Sequence, residues 1–178
     1  MALRIIALIV ALLVVTPTTA PGAAANTPSN SSPHTLGDVP ADFAQFGFWV
    51  GKWSIQQDGA PGTATDTVKR IGNGIVLLEK YRAPDGSTGT SVTVYDVATG
   101  LWTQTWSDSG GGYIQVTGGP DGDRVVLTGT SIGPDGRRQM SRLIFENITR
   151  RTLDQIGEFS TDDGATWQRA YTTHWTRQ

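Results

Sequence analysis

From residue 52 onward the chain alternates apolar and polar positions in short runs, and each run ends in a cluster of Gly, Pro, Asp or Asn. The runs are rich in Val, Ile, Thr, Tyr and Trp, side chains that fit a pleated, half-buried surface. They predict strands over residues 52–57, 64–71, 75–82, 88–96, 101–107, 113–118, 123–132, 137–146, 151–160 and 166–177. Between them stand Pro61-Gly62, Gly72-Asn73-Gly74, Pro84-Asp85-Gly86, Gly110-Gly111-Gly112, Pro120-Asp121-Gly122, Pro134-Asp135-Gly136 and Asp162-Asp163-Gly164. Such groups supply positive φ or a pre-set bend, so neighbouring strands are joined as hairpins. An open meander of about ten strands would expose two unpaired edges, and closing it removes both. The expected fold is therefore all-β, a single antiparallel meander barrel of about ten strands. Residues 41–48 are expected to form a helical turn that plugs one end.

Alternation also sorts the side chains. Lys80 and Arg82 share one parity, which turns Ile75, Leu77, Glu79 and Tyr81 inward. Trp102, Gln104 and Trp106 fall on one face of the fifth strand, and Leu153, Gln155 and Phe159 on one face of the ninth. In the last strand Trp167, Arg169, Tyr171, Thr173 and Trp175 share a side, opposite Ala170, Thr172 and His174. The interior so described is aromatic with a few polar groups, the lining a small-molecule cavity requires. The residues expected to contact a ligand are Tyr81, Trp102, Gln104, Trp106, Arg169 and Tyr171.

The N-terminal residues read as an address. Arg4 precedes an unbroken apolar run, Ile5 to Val15, and Ala23-Ala24-Ala25 offers a cleavage site before Asn26. This is the order of a secretory signal, here over residues 1–25, and the run is well short of the roughly 20 residues that span a bilayer. Export to the periplasm or medium follows, with no stable membrane anchor after cleavage. Residues 26–37, mostly Pro, Ser, Thr and Asn, read as a flexible linker, and 38–178 as the barrel. Without Arg4 the 14 Lys and Arg fall to 13 against 16 Asp and Glu, a net charge near −3 with no basic stripe. Nucleic acid and anionic membrane are poor partners for such a surface. The chain has no cysteine, so its stability rests on the core.

Catalytic groups are sparse. The two histidines are His34, in the linker, and His174, and no nucleophile elbow, zinc motif or cluster with metal-ligand spacing occurs. Glu79 is the candidate acid or base, because an apolar interior would raise its pKa. It would serve a cyclase or isomerase that needs no cofactor.

The run Phe48-Trp49-Val50-Gly51-Lys52-Trp53 opens the first strand with a G-x-W step, and residues 160–167 form a Ser-Thr-Asp-Asp-Gly-Ala-Thr-Trp hairpin. With the ten-strand count, these resemble the calycin superfamily, and most nearly uncharacterised exported bacterial lipocalin-like domains. The resemblance implies that Gly51 bends the chain into the barrel and that Trp53 seals its closed end. It also implies that an arginine near the chain's end, Arg177 or Arg169, stacks on Trp53. Nitrobindin-like members hold haem through a histidine near the C-terminus, which would be His174. Parity, however, turns His174 away from the Trp167, Tyr171 and Trp175 face, so neither haem nor any other cofactor or metal is expected. Three functions remain open: a barrel that binds a small apolar or aromatic molecule, the cyclase or isomerase, and a filled barrel that presents its loops to a partner.

Overall fold

In a computed structural model of the chain, residues 41–178 are described, apart from Pro134 and the side chains of Ala41, Asp42 and Asn73. The leader expected over 1–25 and the linker over 26–37 lie outside the described residues. Ten strands follow in order: β1 (Gly51–Gln57), β2 (Ala64–Ile71), β3 (Val76–Arg82), β4 (Thr88–Asp96) and β5 (Leu101–Asp108). β6 (Tyr113–Asp121), β7 (Arg124–Ile132), β8 (Arg138–Glu146), β9 (Thr152–Ser160) and β10 (Gln168–Arg177) complete the set. Each pairs antiparallel with its sequence neighbours, and β1 closes the ring against β10. The fold is the closed ten-strand meander barrel that the alternation predicts.

The barrel's two ends differ. At one end, the expected helical turn is realised as two short 3-10 turns, Ala41–Ala44 and Gly47–Trp49. They deliver Phe43, Phe46 and Trp49 into the mouth, against Trp53, Trp102, Phe145, Leu153 and Trp175. The rings meet edge-on or tilted, as their quadrupoles favour, and Phe46, Trp49, Trp53, Trp102 and Phe145 have no exposed surface. Their polar edges are largely paired locally. Trp53 Nε1 donates to Trp49 O at 2.8 Å, Trp102 Nε1 to Gln45 Oε1 at 3.0 Å, and Trp175 Nε1 to Thr173 Oγ1 at 2.9 Å.

Arg177 clasps this end from outside. Its guanidinium lies 4.2 Å from the Trp53 ring centroid. It also donates to the carbonyls of Phe48 at 2.7 Å, Val50 at 2.5 Å and Arg150 at 2.9 Å. Gly51 makes the approach possible, because its φ is 153° and a Cβ there would overlap Arg177 Nη1. Of the two arginines offered for the stack, Arg177 is the one that makes it.

The last strand departs from simple alternation. A bulge between Arg169 and Tyr171 leaves Ala170 unpaired, with Arg169 opposite Glu158 and Tyr171 opposite Gly157. One extra residue reverses the faces on either side of it. Tyr171, Thr173 and Trp175 turn inward, while Arg169 and Trp167 are carried to the outer wall. There the Trp167 ring lies 4.1 Å from the guanidinium of Arg142, which is itself paired with Glu158. Arg169 is exposed and does not line the interior, contrary to the parity reading.

Removing the clasp should weaken the whole barrel. Arg177→Ala is expected to cost roughly 2–4 kcal/mol in urea denaturation, from the lost stacking and charge-assisted hydrogen bonds. Arg177→Lys should recover less than half, since an ammonium cannot serve several carbonyls and a ring face at once. Wild-type stability in Arg177→Ala would show that Arg177 does not hold the barrel closed.

Candidate functional site

Moving from the sealed end toward the other mouth, the inward positions change character. First comes a polar belt: Asp66 on β2, Glu79 on β3, Ser91 and Thr93 on β4, and Gln104 on β5, all buried. Register brings them together, since β3 sets Glu79 opposite Ser91 and β4 sets Thr93 opposite Gln104. Gln104 Nε2 donates to Ser91 Oγ at 3.1 Å, and Ser91 Oγ donates onward to Glu79 Oε2.

Beyond the belt lie Tyr81, Trp106 and Tyr171, which face inward but are only partly covered. Tyr81 and Trp106 meet edge to face, their centroids 5.9 Å apart. Two glycines make room for the large rings. A Cβ at Gly89 would overlap the Trp106 indole, and one at Gly157 would overlap the Tyr171 ring. Tyr171 keeps 36% of its surface accessible. Yet burial, followed by the nearby charge of Glu79 and Tyr81, raises its phenol well above the ordinary value. The ring shares the inward face of β10 with the buried Thr173 and Trp175.

The two carboxyls of the belt dominate its electrostatics. Desolvation pushes Asp66 up to about 6, opposed in part by Glu79 and by the Thr67 and Lys80 amides. Glu79 is raised well above its usual range, by burial first and then by the Asp66 charge. Tyr81 is raised as well, by burial and then by Asp66. Neither oxygen of Asp66 has a hydrogen-bond partner of ordinary geometry, although Glu79 and those amides are near enough to influence it, and Thr93 Oγ1 has none either. A buried carboxylate without a partner is costly, so the pair retains protons that exposed carboxyls would lose near neutral pH.

The side chains singled out from the sequence therefore divide. Glu79, Tyr81, Gln104, Trp106 and Tyr171 are brought together in the half of the barrel away from the plug. Trp102 belongs to the sealed end, packed against Phe43, Phe46 and Tyr95. Gly51 and Trp53 form the clasp, and Arg169 is outside. His174 is also on the outer wall, between Asp154 (2.7 Å) and Asp58 (3.1 Å), whose hydrogen bonds raise its pKa. Its imidazole does not face the interior that a haem would occupy. Asp66 and Ser91 were missed as site residues, although Ala64, Asp66 and Val68 share one parity and mark Asp66 as an inward carboxylate. Among the described residues, no group of three or more His, Cys, Asp or Glu is placed to hold a metal ion.

No protein-family model matches the chain, and no curated protein matches it.

The raised carboxyls give stability a definite pH dependence. A group that holds its proton more tightly when folded contributes fully below its unfolded value, 3.8 for Asp66, and loses that contribution as pH rises through about 6. Urea denaturation should therefore show Asp66→Asn gaining on the wild type by roughly 3 kcal/mol between pH 4 and pH 8. A difference between the two proteins that is constant across this window would show that Asp66 titrates normally.

Proposed function

We propose that the protein is an exported binding barrel that takes up a small, largely apolar or aromatic molecule through the mouth opposite the plug. The observation that carries this reading is the asymmetry of the interior. One end is filled with fully buried rings, while Tyr81, Trp106 and Tyr171 stay accessible above a buried polar belt. A barrel that needed only a core would bury both ends alike. Large aromatic surfaces converging on a few hydrogen-bonding groups are the usual composition of a small-molecule site. Export is supported by Arg4, the apolar run Ile5–Val15 and the Ala23–Ala25 site.

A second reading rests on the Asp66–Glu79 pair. Two carboxyls sharing protons near neutral pH are equipped for general acid–base work, so a cyclase or isomerase without cofactor would use this same cup. In that case Glu79→Gln is expected to lower turnover at least about 100-fold, in keeping with the usual contribution of a positioned acid or base. Full turnover in the variant would leave only the binding reading.

The two tryptophans separate the cup from the plug. Trp106→Ala should keep the β far-UV spectrum, change stability by no more than about 2 kcal/mol, and lose most ligand-induced quenching of tryptophan fluorescence. Trp102→Ala should instead cost about 3–5 kcal/mol by opening a cavity in the core, while its folded fraction still binds. Equal quenching in the Trp106 variant and the wild type would place the ligand away from this mouth, and no binding by either would favour a filled barrel.

A further inference from the structure

Among the described residues, the buried carboxyl pair at the base of the cup has no basic side chain to answer it. Among the described residues, every Lys and Arg except Arg142 and Arg177 is exposed. Those two are committed elsewhere, Arg142 to Glu158 on the outer wall and Arg177 to backbone carbonyls at the sealed end. His174 is outside as well. Asp66 is only 2% exposed and Glu79 4%. Ser91, itself held by Gln104, satisfies part of Glu79, whereas both Asp66 oxygens lack a partner of ordinary geometry. The groups that face the pair across the interior are Tyr81 and Tyr171, both raised phenols that stay neutral near pH 7 and bring no positive charge.

Buried carboxylates in proteins are ordinarily matched by a cation. Here the matching charge is not supplied by any of the described residues, and the pair sits at the foot of an aromatic cup. We propose that Asp66 and Glu79 anchor the protonated amine of an aromatic or apolar ligand, whose ring system rests among Tyr81, Trp106 and Tyr171. This rests on the reading of the cup as a ligand site and specifies the ligand's chemistry. A pair holding one proton carries one negative charge, and the ammonium brings one positive charge, so the filled site is neutral. The Asp66 oxygens have almost no accessible surface, so on binding the carboxyl turns toward the cup to accept from the ammonium. The ring faces of Trp106 and Tyr81 stabilise the positive charge further. When empty, the pair lowers its own cost by keeping protons. Ligand and proton therefore compete for the same oxygens, and the amine binds more tightly as pH rises through about 6.

The test compares two probes of nearly equal shape, 2-(aminomethyl)naphthalene and 2-(hydroxymethyl)naphthalene, titrated calorimetrically into the full-length protein at pH 5 and pH 8. The amine is expected to bind at least tenfold more tightly than the alcohol at pH 8 and to lose that advantage at pH 5. Asp66→Asn combined with Glu79→Gln, which preserves shape, should abolish the preference at pH 8 while leaving the alcohol's affinity within about threefold. The pH comparison uses wild-type protein alone, so it stands even if the double variant fails to fold. Binding of both probes with no amine preference would overturn the amine anchor and leave the cup intact as an apolar site. Binding of neither at millimolar concentration would overturn the cup itself, and the anchor with it.

Discussion

Arg177 holds the two ends of the barrel wall together. It is the last residue of β10, yet its guanidinium bonds the carbonyls of Phe48 and Val50, just ahead of β1, and stacks on Trp53 within it. Closing a ten-strand sheet brings chain ends far apart in sequence side by side, at the entropic cost of a long loop. A bound arginine at that seam offsets part of this cost. It also fixes where the 3-10 turns enter, and hence which end of the barrel is filled with Phe43, Phe46 and Trp49.

The plug makes the interior polar only where it is not apolar by necessity. Beside the plug, a ring of aromatic side chains excludes water, and a carboxylate there would find no partner. The belt begins one layer further on, where Gln104 holds Ser91 and Ser91 donates to Glu79. Beyond it the wall is again aromatic, but no chain segment among the described residues covers Trp106 or Tyr171 as the turns cover Trp102. The same residue type therefore performs two tasks: Trp102 seals one end, and Trp106 lines the other.

Much of this was legible from alternation. Hairpin turns at close spacing, period-2 runs and the G-x-W step led to a closed meander and to the inward faces of β3 and β5. The reading failed where a local irregularity reversed the count. The Ala170 bulge moves Arg169 outside while leaving Tyr171 in, and no turn residue or proline announces it. Asp66 escaped notice for another reason. An aspartate in a strand ordinarily points to solvent, and only its shared parity with Ala64 and Val68 argued otherwise.

By itself, then, the sequence determined the number of strands, their hairpin order and most of their facing. These follow from backbone stereochemistry and side-chain period, which are properties of neighbouring residues. Only the tertiary structure decided that Asp66 and Glu79 stand together without a cation among the described residues, that Arg177 rather than Arg169 clasps Trp53, and that Trp102 and Trp106 serve opposite ends. Each depends on register across strands, on the stagger of a closed barrel and on which mouth the turns occupy. Those are set by the packing of the whole ring, and no run of neighbouring residues encodes them.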